Sequence, residues 1–316
     1  MANLGYIQIT RLCNQNCRFC SNPPENISLP FSEGRKIIDD FISKRYDGVI
    51  LSGGEPTLSD ELPAYLRYCL EKKFYAKMIT NGQRLSSYPY LQTLKEAGLY
   101  HCAVSLYSCQ EEIQAFLAEK NDSLENIIRA LENLHSIGGI VVDVNIVINK
   151  YNANHLNKIS EFVVKNFPFV RHFVFNNVDP FMNNASLNAD TIPKLNEFEL
   201  ELYRAMTFLS AQERTFRVER VPLCYMTEFS HCSTETRRIV KKESKAVYFL
   251  DERGLFEQFG QNGSQNGLYY GKASCCKNCS VNDICAGLYQ MDTYFSSDEL
   301  YPVFVSKEAV VQRILS

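Results

Sequence analysis

The chain has 316 residues, of which 45% are hydrophobic and 22% are charged, and its formal net charge is −3 at pH 7. This composition predicts a globular protein with room for a large α/β domain and a smaller second unit. It excludes the broad positive field with which proteins bind a nucleic-acid backbone, and no apolar run is long enough to cross a bilayer. Without a signal-type N-terminus, the twelve cysteines predict metal ligation in the reducing cytoplasm rather than disulfides.

Strand and helix patterns alternate over the first two thirds of the chain, which predicts a parallel sheet with helical crossovers. The predicted strands cover residues 5–10, 48–52, 76–80, 101–106, 140–148 and 170–175. The predicted helices cover residues 33–43, with Ser32 as N-cap, and 60–72, 91–97, 111–118, 123–136 and 154–166. Beyond these units, the sequence predicts a polar loop over residues 177–188, a long amphipathic helix over 191–212, a strand over 216–221 and a hairpin formed by 246–250 and 254–256. Six such units cannot close an eight-stranded barrel. We therefore expect a partial (β/α)6 TIM barrel with its site at the carboxyl ends of the strands.

Three cysteines follow the first predicted strand in the sequence CNQNCRFC, and we call residues 13–20 the cysteine loop. Thiolates that converge from one short loop are the soft ligands that iron–sulfur clusters require. A four-iron cluster with only Cys13, Cys17 and Cys20 as protein ligands keeps one iron open to a small molecule. The alternative is structural zinc, which normally takes four protein ligands, and the first histidine along the chain is His101.

Polar or glycine-rich positions also follow the next predicted strands. The second strand runs into Gly53, Gly54, Glu55 and Pro56, which we call the GGEP turn. Two glycines permit a sharp turn with exposed carbonyls, and the proline stiffens its exit. Thr80 and Asn81 end the third strand, Ser105 ends the fourth and Asn145 lies late in the fifth. We expect these positions to meet the cysteine loop at one rim, although each alone is also typical of an ordinary turn or strand-end cap.

The Cys-x3-Cys-x2-Cys spacing, with the aromatic Phe19 before the last cysteine, resembles the signature of the radical S-adenosylmethionine (SAM) superfamily. The resemblance implies a site-differentiated [4Fe-4S] cluster on the three cysteines, with SAM chelating the open iron. Reductive cleavage of SAM to a 5′-deoxyadenosyl radical would then remove a hydrogen atom from the substrate. The SAM-binding residues that the resemblance implies are Phe19, Gly53, Gly54, Glu55, Pro56, Thr80, Asn81, Ser105 and Asn145.

A second cysteine group lies near the C-terminus, where Cys276, Cys279 and Cys285 have the spacing Cys-x2-Cys-x5-Cys. This spacing resembles the auxiliary-cluster domains, of the SPASM or the shorter twitch type, that are attached to many radical SAM enzymes. The resemblance implies a second [4Fe-4S] cluster with Cys224 as the fourth ligand. We therefore predict a radical SAM partial barrel over residues 1–212 and a twitch-like auxiliary domain over residues 213–316.

The ligand set of this second group leaves alternatives open. Cys232 and Cys275 compete with Cys224 for the fourth position, and zinc is the alternative metal because of the Cys-x2-Cys pair. Where the full SPASM pattern has a further cysteine, this chain has Tyr289. Too few cysteines then remain for two auxiliary clusters, so we predict one.

The resemblance implies an enzyme that modifies a ribosomally synthesised peptide by crosslinking or epimerisation, with oxidation or rearrangement of a small metabolite as the alternative. The implied electron donor is a reduced flavodoxin or ferredoxin. The first strand begins near residue 5, so a peptide substrate would need a separate recognition protein or a direct groove. A non-catalytic iron–sulfur scaffold or redox carrier is the alternative of another class, but a carrier needs no SAM-sized cavity. No catalytic acid, base or hydrogen donor is identified.

Overall fold

The computed structural model describes residues 3–180, 184–243, 245–251, 254–260, 264–265 and 268–316. The strands are β1 Leu4–Thr10, β2 Gly48–Gly53, β3 Tyr75–Thr80, β4 His101–Ser105, β5 Val141–Ile148, β6 His172–Asn177, β7 Thr215–Glu219, β8 Lys245–Asp251, β9 Gly254–Gly260, β10 Ser264–Gln265, β11 Leu268–Gly271 and β12 Leu288–Tyr289. The helices are α1 Phe31–Ser43, α2 Leu62–Glu71, α3 Tyr88–Glu96, α4 Glu111–Ala118, α5 Ser123–Ile137, α6 Leu156–Asn166, α7 Asn184–Leu187, α8 Leu195–Ala211, α9 Thr234–Lys241 and α10 Lys307–Leu315. None of these helices combines the length and the apolar character that crossing a membrane demands.

The wall of the barrel is one sheet of nine strands in the order β7-β6-β5-β4-β3-β2-β1-β8-β9. Strands β1 to β7 run parallel to their neighbours, and helices connect each of them to the next. The predicted α/β partial barrel is confirmed, with all six predicted strands present in chain order. A smaller antiparallel sheet contains β10, β11 and β12.

The large sheet continues beyond the six predicted strands at both edges. The segment 216–221, predicted as a strand, corresponds to β7, which pairs with β6. The predicted hairpin over residues 246–256 corresponds to β8 and β9, and β8 lies parallel to β1. Strands from both sides of the predicted boundary after residue 212 therefore share one sheet, and the division into two domains stays a prediction.

Side chains fasten β8 to β1 at the point where β1 enters the cysteine loop. One terminal nitrogen of Arg11 donates to the carbonyl of Leu250 at 2.7 Å, and the backbone N–H of Leu250 donates to Gln8 Oε1 at 2.9 Å. The other terminal nitrogen of Arg11 lies 2.9 Å from Glu25. Each of these bonds involves a charged or buried group, so together they hold the hairpin more firmly than backbone pairing alone.

Helix α1 begins one residue before its predicted N-cap. Its first residue is Phe31. The residue in the N-cap position is Pro30, whose side chain makes no capping hydrogen bond. The prediction that Ser32 is the N-cap is therefore wrong. The fixed φ of Pro30 sets the entry of the chain, and Glu61 Oε2 accepts the otherwise unpaired N–H of Phe31 at 3.0 Å.

The two faces of the sheet differ in polarity, as β1 illustrates. A Cβ added to Gly5 would lie 2.3 Å from the ring of Phe41 on α1, so odd-numbered positions of β1 face the helices. Ile7 and Ile9, at alternating positions, are fully buried there. On the concave face, Tyr6 Oη donates to Ser52 Oγ at 2.8 Å. The concave face of β1 and β2 thus carries polar groups.

Three charged or titratable side chains meet on this concave face towards the amino ends of the strands. Lys77 Nζ donates to Asp143 Oδ2, and His101 Nε2 lies 2.8 Å from the same oxygen. Burial alone would raise the pKa of Asp143, but His101 and Lys77 outweigh it and lower that pKa. The carboxylate is therefore held ionised inside the barrel.

His172, opposite Asp143 in the sheet register, supplies a prediction about pH. Burial lowers its pKa to about 4, against partial opposition from Asp143. Between about pH 6.5 and pH 4 the unfolded chain therefore binds a proton that the folded chain does not, so stability falls as pH falls through this window. From pH 7 to pH 4.5 we expect the wild type to lose about 2 kcal/mol more unfolding free energy than His172→Gln. Urea unfolding measures this, with the exposed His135→Gln as control, and equal pH slopes would contradict it.

Candidate cofactor site

The cysteine loop leaves the carboxyl end of β1 and is held against the end of α4. The backbone N–H of Arg18 donates to the carbonyl of Leu117 at 3.0 Å, and that of Asn16 donates to the carbonyl of Ala118 at 3.3 Å. The last carbonyls of a helix lack partners within it, so they are available to position another backbone segment. The end of α4 thereby fixes the middle of the loop.

Each of the three thiols has a polar group within hydrogen-bonding distance of its sulfur. Asn81 Nδ2 donates to Cys13 Sγ at 3.8 Å, and the backbone N–H of Asn22 donates to Cys20 Sγ at 3.3 Å. The thiol of Cys17 donates to Gln15 Oε1 at 3.5 Å and to Tyr107 Oη at 3.8 Å, and the Tyr107 hydroxyl can donate to a Cys17 thiolate in return. Hydrogen bonds to ligand sulfurs stabilise thiolates and tune iron–sulfur clusters. This donor set fits a cluster bound by three cysteines. The donors other than Asn81 were not among the predicted site residues.

Burial makes these thiols hard to ionise in the absence of a metal. It raises the pKa of Cys13 to about 11, and it also raises the pKa of Cys17 and of Cys20. The negative charges of Cys20 and Cys13 raise the pKa of Cys17 further. A bound cationic centre would compensate this charge, because a coordinating thiol is deprotonated.

Zinc stays the alternative metal at both cysteine groups. Thiolates on one zinc ion lie about 4 Å apart because each Zn–S bond is about 2.3 Å, whereas the thiolates of a cubic cluster bind different irons. Among the residues that the structure describes, no three His, Cys, Asp or Glu side chains are arranged to hold a single metal ion.

The glycines of the GGEP turn allow it to touch the chain that enters the cysteine loop. A Cβ on Gly53, which has φ +149°, would lie 1.9 Å from the carbonyl oxygen of Thr10. A Cβ on Gly54 would lie 2.4 Å from that of Leu12. The N–H of Gly54 donates to Thr10 and that of Glu55 donates to Leu12, at 2.8 and 2.7 Å. The close backbone approach explains both glycines, and their contact with SAM stays a prediction.

Glu55 is fully buried, and its carboxyl group is used within the protein. Its Oε1 accepts bonds from Thr57 N at 3.0 Å, Thr57 Oγ1 at 2.6 Å and Thr80 Oγ1 at 2.7 Å, while Oε2 accepts from Asn81 N at 2.6 Å. Burial raises the pKa of Glu55, and these bonds oppose that rise. Glu55 and Thr80 therefore tie the turn to the end of β3, with Pro56 buried beside them.

The remaining predicted SAM-binding residues differ in what their side chains contact. Ser105 and Asn145 are direct neighbours in the sheet, and Asn145 Oδ1 accepts a bond from Asn176. Ser105 is 8% exposed, and its hydroxyl has no hydrogen-bond partner among the described residues. Phe19 is buried with its ring edge-on to Tyr107, centroids 4.7 Å apart. Ser105 thus keeps an unused hydrogen-bonding group, whereas Phe19 packs.

We define the C-terminal cysteine group as Cys224, Cys276, Cys279 and Cys285. Burial raises the pKa of Cys224 to about 12, with contributions from the charges of Cys285 and Cys276. Burial likewise raises the pKa of Cys285, with a contribution from Cys279. The N–H of Gly287 donates to Cys285 Sγ at 3.3 Å. The charges of these cysteines thus act on one another, and their role as ligands of one cluster stays a prediction.

The two competing cysteines are oriented differently. Cys275 donates its S–H to the carbonyl of Leu300 at 3.4 Å, although it also contacts Cys276. The charges that act on Cys232 are those of Arg217 and Arg313 rather than those of other cysteines. The identity of the fourth ligand stays a prediction.

A three-thiol loop beside a glycine turn, at the carboxyl rim of a parallel partial barrel, defines a candidate iron–sulfur site. Residues 7–163 match the family model described as the radical SAM superfamily. The chain therefore carries a radical SAM superfamily domain, as the cysteine spacing predicted.

Three similar proteins illustrate the extent of the match. The Fe-coproporphyrin III synthase of Methanosarcina barkeri is 33% identical over 155 residues, which are 48% of this chain and 38% of that relative. The 7,8-dihydro-6-hydroxymethylpterin dimethyltransferase of Methanocaldococcus jannaschii is 24% identical over 283 residues, 80% of this chain and 55% of the relative. Streptococcus suis SuiB, solved with its precursor peptide SuiA, has a TM-score of 0.56 at 17% identity, covering 69% of this chain and 49% of SuiB. The chain thus spans about half or less of their length, and SuiB shares the fold.

Proposed function

We propose that this protein is a radical SAM enzyme whose catalytic cluster is held by Cys13, Cys17 and Cys20. The observation that carries the proposal is a polar hydrogen-bonding group beside each thiol, next to a turn that packs on the cysteine loop. A [4Fe-4S] cluster with SAM on its open iron would supply a 5′-deoxyadenosyl radical that abstracts a hydrogen atom from the substrate.

The residues of the chain would bind and orient this cofactor pair. Asn81 connects the end of β3 to the cysteine loop, because its Nδ2 contacts both Cys13 Sγ and Asn14 Oδ1, the latter at 2.7 Å. The unpaired hydroxyl of Ser105 and the amide of Asn145 offer hydrogen bonds to the SAM carboxylate or ribose. Gly53 and Gly54 offer their carbonyls to its ammonium group. The buried wall of the barrel would keep water from the radical.

We further propose one auxiliary [4Fe-4S] cluster on Cys224, Cys276, Cys279 and Cys285. It would accept the electron that remains on the substrate after hydrogen abstraction, or bind the substrate if one iron stays open. The orientation of Cys275 towards Leu300 and the arginine surroundings of Cys232 support this ligand set. A reduced flavodoxin or ferredoxin would supply the electron that cleaves SAM.

A test of both cluster sites is anaerobic reconstitution followed by iron and sulfide counts and an assay for 5′-deoxyadenosine with dithionite and SAM. We expect about eight irons per wild-type chain and about four in a Cys13/Cys17/Cys20 triple alanine variant, which should make no 5′-deoxyadenosine. A Cys69/Cys102 double alanine variant is the matched control, since both side chains lie in the core. Zinc in place of iron, or 5′-deoxyadenosine from the triple variant, would contradict the proposal.

For the substrate we propose a ribosomally synthesised peptide, modified by crosslinking or epimerisation and presented by a separate recognition protein. The fold shared with SuiB, which was solved with a precursor peptide, supports this choice. Oxidation or rearrangement of a small metabolite is the second candidate, because two relatives are named for porphyrin and pterin chemistry. Stimulation of SAM cleavage by peptides encoded in neighbouring genes, compared with metabolites, distinguishes them. A redox carrier would be reduced reversibly without cleaving SAM.

A further inference from the structure

We propose that Asn184 and Asn188 are positioning residues that hold the cysteine loop in its ligand-binding shape. Asn184 Nδ2 donates to the carbonyl of Cys17 at 3.0 Å, and the backbone N–H of Asn184 donates to that of Cys20 at 3.1 Å. Asn188 Nδ2 donates to the carbonyl of Arg18 at 3.1 Å. Three of the backbone carbonyls within residues 17–20 therefore accept bonds from this pair of asparagines.

The contacts complete a clamp around the loop. Its N–H groups at Asn16 and Arg18 donate to the end of α4, whereas its carbonyls accept bonds from Asn184 and Asn188. Donors and acceptors of one short segment are thus fixed by two different parts of the barrel. A segment held on both sides has few ways to open locally, because each movement breaks bonds to one side or the other.

The segment that carries the asparagines is itself anchored by polar contacts rather than by a large apolar face. The carbonyl of Asn188 accepts bonds from Thr191 N at 2.8 Å and Thr191 Oγ1 at 2.7 Å, and the carbonyl of Thr191 accepts a bond from Lys150 N at 2.9 Å. Ala185 of the same segment is fully buried in the hydrophobic core, whereas Leu187 is 84% exposed. The clamp is therefore tied to the chain just after β5, and only one small apolar side chain anchors it in the core.

The same contacts bear on the proposed cluster. Carbonyl oxygens beside an iron–sulfur cluster disfavour added negative charge, and N–H donors to those oxygens counter this effect. Removing a donor, or replacing it by a carboxylate, should therefore make reduction of the cluster harder. This consequence rests on the proposed function, whereas the clamp itself is a property of the metal-free chain.

The clamp is tested in metal-free protein by hydrogen–deuterium exchange. We expect an Asn184→Ala/Asn188→Ala double variant to exchange the amides of residues 13–22 about tenfold faster than the wild type, with β1 unchanged. Asn166→Ala is the matched control, since Asn166 Nδ2 donates to its own helix at Phe162 at 2.8 Å. Wild-type exchange in the loop of the double variant would overturn the proposal, as would equal acceleration in the control.

A second variant gives a readout that a purely structural role would not move. Asn188→Asp keeps the side-chain shape but replaces the donor by a negative charge. In reconstituted protein with an unchanged iron count, we expect a more negative midpoint potential in a titration followed by electron paramagnetic resonance, and Asn188→Gln should restore part of the shift. An unchanged potential would overturn the electrostatic role. If the wild type binds no iron, the proposed function fails, and exchange in the metal-free loop still decides the clamp.

Discussion

Replacing Glu55 by alanine is expected to lower the free energy of unfolding by about 4 kcal/mol, since buried donors left without an acceptor cost about 1 to 3 kcal/mol each. The lost carboxyl group leaves four donors, on Thr57, Thr80 and Asn81, without their acceptor. Water that enters the space would recover part of the loss. Denaturant unfolding of the metal-free protein measures the change.

The control for this prediction is Glu61→Ala. Glu61 is exposed, and its carboxylate accepts a hydrogen bond from Phe31 N at 3.0 Å. We expect this variant to lose less than about 1 kcal/mol, as is usual for exposed hydrogen bonds. Glu55→Gln should fall between the two, because its amide keeps one acceptor oxygen. A loss of under about 1 kcal/mol in Glu55→Ala would show that the turn does not depend on this carboxyl group.

Replacing Gly53 by alanine is expected to abolish stable iron binding after reconstitution. The new Cβ would lie 1.9 Å from the carbonyl oxygen of Thr10, so β2 or the start of the cysteine loop must move. The φ of +149° adds strain of about 1 to 3 kcal/mol for a residue with a side chain. Iron per chain and unfolding free energy are the measurements.

Gly138→Ala separates the steric clash from the backbone strain. Gly138 also has a positive φ, of 62°, but a Cβ there would meet no atom within 4 Å. We expect this variant to lose about 1 kcal/mol of stability and to bind iron like the wild type. Equal iron binding in the two alanine variants would show that the contact between the GGEP turn and Thr10 does not position the loop.

Much of the fold follows from local pattern. The alternation of apolar runs and amphipathic helices predicted the six strand–helix units, and the carboxyl-end rule placed the cysteine loop and the GGEP turn together. Local pattern does not specify partners far along the chain. It predicted the hairpin of β8 and β9, but not the pairing of β8 with β1. Gln8 and Leu250, which are hydrogen-bonded across this pairing, lie some 240 residues apart in the chain.

In the site, too, features that depend on neighbouring residues could be predicted, whereas contacts between distant parts of the chain could not. The cysteines and glycines were recognisable because their chemistry depends on close spacing. The hydrogen bonds that Glu55 accepts from Thr57, Thr80 and Asn81 were not recognisable, because they depend on where β3 ends relative to β2. Asn184 and Asn188 lie about 170 residues from the carbonyls they bind, in a stretch predicted only as polar loop. An asparagine carries no sequence mark that distinguishes such a contact from solvation.

The position of β8 beside β1 bears on any shortened form of this protein. A chain cut after residue 212 would leave the outer backbone groups of the strand that leads into the cysteines without a neighbour. Uncovered strand edges pair readily with other molecules, and aggregation is the usual result. The minimal unit for spectroscopy is therefore not the six-stranded barrel, and attempts to trim the chain should keep the hairpin even though it lies far from the first cysteines in sequence.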